Sequence, residues 1–337
     1  MTAANPIGSN GSGIDFNDPE LEAAVRSGLD SVEGLLRDSV KSDYPFVTET
    51  SQHLVAAGGK RFRPLVVLLA AQFGDPASQG VVPSAVVVEL THLATLYHDD
   101  VMDEAVMRRG AVSANSRWGN TVAILTGDFL FARASDILAD LGPEAVRLQA
   151  RTFERLVQGQ IRETVGPTEN DDPVEHYLRV VADKTGSLIG TSGRFGAMLA
   201  GADEAAVEVL TRFGERIGVA FQLSDDLLDV TSESAASGKT PGTDLREGVP
   251  TLPVLLLRRR DDAADADLLE ALGGDLSADS ELRSVVERLR AHPVMVEARA
   301  VVQSWADDAR ATLEPLPDVP AKAALESLCD FVVRRTG

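Results

Sequence analysis

Two short acidic runs stand out among the 337 residues. Asp99-Asp100-Val101-Met102-Asp103 and Asp225-Asp226-Leu227-Leu228-Asp229 share the pattern DDxxD, and each ends a strongly apolar stretch of helical period. At about 100° per residue the first and fifth positions fall on one helix face, so Asp99 pairs with Asp103 and Asp225 with Asp229. Like charges four apart on a helix repel, so the repetition is costly unless something uses it. One such run alone reads as a solvated helix end. Two with identical spacing, both continuing an apolar face, point to a hard divalent cation such as Mg2+, which takes a few carboxylates together with phosphate oxygens and water. A calcium loop of the EF-hand type is excluded, because oxygens at alternate positions and a central Gly are missing.

The basic counterpart is Gly58-Gly59-Lys60-Arg61-Phe62-Arg63-Pro64, leading into LVVLLAAQF. Pro64 suits the first helical position, with the Gly pair as the turn before it. Helix starts normally attract acids, yet Lys60, Arg61 and Arg63 crowd this one, which points to an anion held by cations and free backbone N–H groups together. Arg108-Arg109-Gly110 follows the first acidic run and equally suits the capping of a helix C-terminus. Lys184-Thr185-Gly186 interrupts an apolar helical stretch, where a kink or cap would also explain it. His92 lies seven residues before Asp99 on the same side of the helix, a position that also suits a satisfied core histidine. Gln222 shares the face of Asp225. No Ser-His-Asp or Cys-His arrangement is present, so covalent catalysis is not indicated. Carboxylates for a metal facing cations across apolar helix walls suit a reaction that expels diphosphate and shelters a carbocation from water.

The elements that must position these groups read as helices. Val87, Leu90, Ala94 and Tyr97 recur at helical steps, as do Ile217, Ala220, Phe221, Leu223, Leu227 and Leu228, and strand-like alternation is hard to find. The predicted class is all-α, a single-domain helical bundle with a central cavity between the two DDxxD helices. Aromatics make up only 5% of the chain, so its core must be built from Ala, Leu and Val, which let helices pack closely. Residues 1–18 read as a flexible leader without signal-peptide character, and 19–337 as the helical domain. Residues 166–175 form an acidic, Pro-bounded loop, and 261–282 an acidic solvated surface broken at Gly273-Gly274. The Pro-rich stretch 231–253 reads as a lid, since loops this long inside a domain tend to be functional.

Composition limits the partners. With 32 basic and 52 acidic residues the net charge is −20, which repels nucleic acid. Apolar runs fall short of the ~18 residues that a membrane span needs. The single cysteine, Cys329, excludes an internal disulfide framework, fits a reducing compartment and reads as core, so a soluble, cytoplasmic protein is expected.

The segments GGKRFRP, THLATLYHDDVMDEAVMRRG, KTGSL, FQLSDDLLDV and GKTPGTDLREGVPTLP, in this order, resemble the trans-isoprenyl diphosphate synthase (polyprenyl synthetase) family, and the likeness runs from about residue 20 to the C-terminus. The resemblance implies the all-α isoprenoid synthase fold, a homodimer, Mg2+, and head-to-tail (1′–4) condensation of isopentenyl diphosphate with an allylic diphosphate. By motif position it assigns Mg2+ to Asp99 and Asp103 on one side and Asp225 on the other, with Asp229 a weaker candidate. Lys60, Arg63, His92 and Arg109 would hold isopentenyl diphosphate. Arg108, Lys184, Thr185, Gln222 and Lys239 would contact the allylic substrate, its diphosphate or the developing cation. Asp99, Asp103, Arg108, Lys184 and Asp225 thus form the expected catalytic set, and the expelled diphosphate would take the proton. The lid reading agrees with the family. One departure is Val249-Pro250, where many members carry Lys after the Glu-Gly pair.

Members that stop early place Phe or Tyr four and five residues before the first DDxxD. Here those positions are Thr95 and Ala94, so a long product of six or more isoprene units is expected, such as a quinone side-chain precursor. Phe129 and Phe131 on a later helix could plug the tunnel deeper. A long prenyl product must leave into a bilayer, which implies transient membrane contact. The competing readings are a short-chain (farnesyl or geranylgeranyl) synthase, a class I terpene cyclase, a non-catalytic subunit of a heteromeric synthase, and a metal phosphohydrolase around His98-Asp99. The second anion motif argues against a cyclase, and the intact clusters argue against a subunit. A phosphohydrolase would need further ligands, and His53, His92, His176 and His292 lack metal spacing.

Overall fold

The computed structural model describes residues 13–231, 241–260 and 262–335. Ten helices carry the chain to the second acidic run: α1 (Pro19–Ser39), α2 (Pro45–Ala56), α3 (Phe62–Ala70), α4 (Val81–Met102), α5 (Ala114–Trp118), α6 (Asn120–Leu141), α7 (Pro143–Val165), α8 (Pro173–Val181), α9 (Ser187–Leu199) and α10 (Glu204–Thr231). Helices Leu252–Arg260, Asp279–Ala291, Val294–Thr312 and Pro320–Arg334 complete the bundle. Among the described residues the protein is all-α apart from a two-stranded hairpin described below.

Helix starts follow local chemistry. Asp18 caps α1 by accepting from the Leu21 N–H, with Pro19 as first residue. Asp172 does the same for α8, accepting from Val174 and Glu175 N–H, so the acidic loop expected over 166–175 ends at Asp172. α4 lies in the middle of the molecule, as its Val86, Val87, Val88, Leu90, Leu93 and Tyr97 have no exposed surface. The Tyr97 hydroxyl donates to the Thr50 carbonyl at 2.5 Å and accepts from the Leu54 N–H, tying α2 to α4. α9 fits between α3 and α10 because its contact stripe is glycine. A Cβ on Gly196 would lie 2.2 Å from the Val67 carbonyl oxygen, and one on Gly193 would lie 2.3 Å from that of Leu210.

Several expectations are corrected. α3 begins at Phe62, not Pro64. Proline still fits in the first turn, where N–H groups have no intrahelical acceptor. Arg108-Arg109-Gly110 does not cap a helix: α4 stops at Met102, and Met107–Arg108 pairs antiparallel with Ala111–Val112. Arg109 and Gly110, with φ of 53° and 77°, form the two-residue turn, the hand that suits strand twist. Lys184 lies in a π-helical turn, Ala182–Gly186, between α8 and α9. Within the expected leader, Ile14 and Phe16 are buried, and the Asp15 N–H donates to Ser327 Oγ at 2.9 Å. The expected solvated surface 261–282 contains a helix, Ala266–Leu272, with Leu268, Leu276 and Leu282 buried, because apolar residues at helical steps outweigh acidic composition. The lid stretch overlaps the last residue of α10 and the first turn of Leu252–Arg260, and includes a helical turn at Thr243–Arg246. Lys239 lies outside the described residues. No described helix is long and apolar enough to cross a membrane.

Candidate active site

The first acidic run sits at the C-terminal end of α4, and Asp103 closes the helix with its N–H on the Asp99 carbonyl at 2.8 Å. Burial pushes the Asp99 carboxyl up to about 6; nearby Lys184 opposes the shift and Asp103 adds to it. Asp103 is raised for the same first reason, with Arg108 opposing. Arg108 turns back on its own acidic run. Its Nε donates to the buried Asp100 at 2.5 Å, and its Nη2 lies 3.7 Å from Asp103. Lys184 pairs with Glu163 of α7, and Asp183 beside it is held by Arg155 and Arg162, so ion pairs brace the π-turn.

The second run occupies the last turns of α10. Lys60 Nζ lies 3.1 Å from Asp225 Oδ1, and Arg335 bonds to the same oxygen. Both cations lie over the Phe221 ring, at 4.9 Å and 4.7 Å, and Phe62 stacks beneath it at 4.3 Å. Asp226 is buried between the Tyr177 hydroxyl and Gln222 Nε2, and burial raises it to about 6. Gln222 in turn accepts from Thr185 Oγ1 at 3.1 Å, which joins α10 to the π-turn. Asp229 accepts from the Thr243 and Asp244 N–H groups and so fastens the segment that returns toward the site. That segment carries Glu247, whose carboxyl is raised by partial burial and by the charges of Asp103 and Asp229.

The basic face is built from strained backbone. Arg61, Glu104 and Arg109 are three of the four non-glycine residues with positive φ among those described, at 49°, 50° and 53°. Each such conformation costs about 1–2 kcal/mol and persists only where its surroundings hold it. Arg61 donates to Glu33 and Glu89, and Arg109 to the Leu54 and Gly58 carbonyls. Arg63 is half-buried, its Nε is buried without a partner among the described residues, and desolvation brings its pKa down to about 10. His92 is held well below the ordinary imidazole range by burial and by Arg63, Arg109, Arg61 and Arg108, so it is neutral at pH 7 and can donate without adding charge.

Lys60 thus meets Asp225, and Arg63, His92 and Arg109 lie near one another, whereas Arg61 turns inward to carboxylates. Of the two chain-length candidates, Ala94 has no exposed surface and Thr95 is half-buried. Phe131 lies against His98 and Phe153, with centroids 5.8 and 4.4 Å away. Sequence reasoning missed Glu33, Glu89, Tyr177, Glu247 and Arg335. Glu89 had a signal, a lone acid inside the apolar run VVVEL, while Arg335 had none. His98 bonds the Ile124 carbonyl and His292 bonds Asp265, which leaves the phosphohydrolase reading without its ligands. Among the described residues no three His, Cys, Asp or Glu side chains cluster closely enough to cage a metal. The donor set is a few hard carboxylate oxygens, which suits Mg2+ completed by phosphate oxygens and water rather than an all-protein cage.

The polyprenyl synthetase family model matches residues 44–289. The chain is 51% identical over 326 residues to the nonaprenyl diphosphate synthase of Mycobacterium tuberculosis, covering 96% of this chain and 97% of that protein. It is 40% identical over 321 residues to the dimethylallyltranstransferase of the same organism, covering 95% and 98%. A crystal structure of geranylgeranyl pyrophosphate synthase from Corynebacterium glutamicum, complexed with calcium and isoprenyl diphosphate, matches with a TM-score of 0.86 and 47% identity over 96% of this chain and 100% of that one. With the fold, the ordered motifs and the full-length match in agreement, the chain belongs to the polyprenyl synthetase family of prenyltransferases.

Proposed function

We propose that the protein condenses isopentenyl diphosphate with an allylic diphosphate head to tail (1′–4), with Mg2+, to give a long-chain all-trans polyprenyl diphosphate used as a quinone side-chain precursor. The observation that carries this reading is the buried Nε of Arg63, without a partner among the described residues, near Arg109 and neutral His92, which together make an anion seat. Such a site takes two diphosphates, one on cations and one beside carboxylates. A terpene cyclase needs only the second.

Lys60, Arg63 and Arg109 bind the isopentenyl diphosphate, and His92 orients it by donating a hydrogen bond. Asp99 and Asp103 on one side, and Asp225 with Asp229 on the other, would hold Mg2+, which when bound supplies positive charge to the leaving diphosphate. Support for a divalent ion comes from the calcium in the Corynebacterium relative. Arg108 and Lys184, with Lys239, add charge toward the allylic diphosphate. As the allylic carbon–oxygen bond breaks, the electron pair leaves with diphosphate, and the alkene of isopentenyl diphosphate forms the new carbon–carbon bond. The proton then lost from the neighbouring carbon passes to the expelled diphosphate. Thr185 and Gln222 present oxygen dipoles to the transient cation, and the apolar wall from α4 excludes water.

A homodimer fits an exposed apolar face made of Tyr44, Phe46, Val112, Ile124 and Leu125 around Trp118. Product release would bring transient membrane contact to an otherwise cytoplasmic enzyme. The long product is supported by the nonaprenyl relative and by the small residue Thr95. A shorter product is the second reading, favoured by the 47% identity to a geranylgeranyl synthase. The test is product analysis of the purified protein with Mg2+, labelled isopentenyl diphosphate and a series of allylic primers. Long all-trans products that vanish with chelator support the first reading; termination at fifteen or twenty carbons supports the second. No elongation with any primer overturns both.

A further inference from the structure

Glu89 lies in the middle of α4, flanked by Val86, Val87, Val88 and Leu90, and is 1% exposed. A carboxylate cannot remain ionised in such surroundings unless cations pair with it. Arg61 Nη1 donates to Glu89 Oε1 at 2.8 Å, and Arg109 Nη2 lies 3.9 Å from the same oxygen. Arg61 is itself 8% exposed and also donates to Glu33 and the Val55 carbonyl. These are the two arginines with left-handed backbone, one before α3 and the other in the hairpin turn. Their guanidinium groups also close on Gly59, where a Cβ would meet Arg61 Nη1 at 2.9 Å and Arg109 Nη1 at 3.0 Å. Glu89 thus joins two loops that are far apart in sequence, at the point where the anion seat must be assembled.

Resting on the function proposed above, we infer that Glu89 is a positioning residue: it draws Arg61 and Arg109 under the seat, so that Arg109 and Arg63 meet the non-allylic diphosphate in a fixed geometry. Glu89 also supplies the counter-charge that lets Arg61, Arg63 and Arg109 gather in one buried place; without it they repel. Glu33 plays the outer part, as the second carboxylate on Arg61.

The test is steady-state kinetics of Glu89→Gln, which keeps the shape and one acceptor and removes the charge. The expected result is a KM for isopentenyl diphosphate raised tenfold or more, with the allylic KM and kcat within threefold of wild type. An unchanged or lower KM for isopentenyl diphosphate overturns the inference, and so does a parallel rise in both KM values, which is the signature of general loosening. Glu89→Asp, which retains the charge, should recover part of the affinity. Should Glu89→Gln fail to fold, Glu33→Gln serves: a rise of threefold or more confined to isopentenyl diphosphate supports the assignment, and no rise overturns it. Wild-type protein that does not elongate with isopentenyl diphosphate would instead sink the function proposed above, so the two failures are distinguishable.

Discussion

Replacing Thr95 by Tyr should shorten the product, and the structure sets by how much. Thr95 precedes Asp99 by four residues on the same face of α4, so it lies about 6 Å along the helix axis from the first carboxylate. An isoprene unit adds four carbon–carbon bonds to the chain, about 5 Å when extended. That depth equals little more than one unit, so a ring projecting there should stop growth well short of six units. The neighbouring Ala94→Phe should behave differently. Ala94 has no exposed surface, and its carbonyl lies 3.1 Å from where a Cβ on Gly127 would be, so α4 and α6 leave no space there. Overfilling that contact should cost about 1–3 kcal/mol of stability. The assay is labelled isopentenyl diphosphate with a farnesyl or geranyl primer, followed by dephosphorylation and mass spectrometry of the alcohols, with thermal unfolding on the same preparations. A folded Thr95→Tyr protein that still makes the wild-type length would refute the placement of the growing chain along this face.

Three further outcomes follow from the geometry. Arg63 keeps its guanidinium charge and has a buried Nε without a partner among the described residues, so Arg63→Gln should raise the KM for isopentenyl diphosphate about tenfold or more at about pH 7–8, and an unchanged KM in steady-state kinetics would contradict its place in the anion seat. Cys329 is 1% exposed and burial pushes its thiol up to about 12, so alkylation at pH 8 should proceed only through opening of the helix, and rapid labelling of native protein would contradict the burial. Gly193→Ala gains up to about 1 kcal/mol of helix propensity but sets its Cβ 2.3 Å from the Leu210 carbonyl oxygen, so denaturant unfolding should show a net loss of stability of about 1–3 kcal/mol.

Much of the site was legible because its acidic half is local. Four residues span one helical turn, so Asp99 with Asp103 and Asp225 with Asp229 share faces whatever else the chain does. The violation of helix-end preference in GGKRFRP likewise marked a cationic turn, the seat proposed for an anion, from neighbouring residues alone. The hairpin at Met107–Val112 was not legible, since two-residue strands have no period to detect and arginine is not a residue that favours positive φ. The docking of Phe16, 3% exposed, was equally hidden, because its partner helix lies at the other end of the chain.

The amino-acid sequence by itself thus determined the all-α class, the two carboxylate pairs, the cationic turn and the family. The tertiary structure alone decided how the charges are shared. Lys60 and Arg335 meet Asp225 across 165 and 110 residues, and Arg61 meets both Glu33 and Glu89 across 28. The physical reason is that helical period and capping act over one or two turns, whereas an ion pair depends on distance in space and on burial. Which arginine pairs with buried carboxylates and which with backbone carbonyls is therefore settled only when α3, α4, α10 and the hairpin come together.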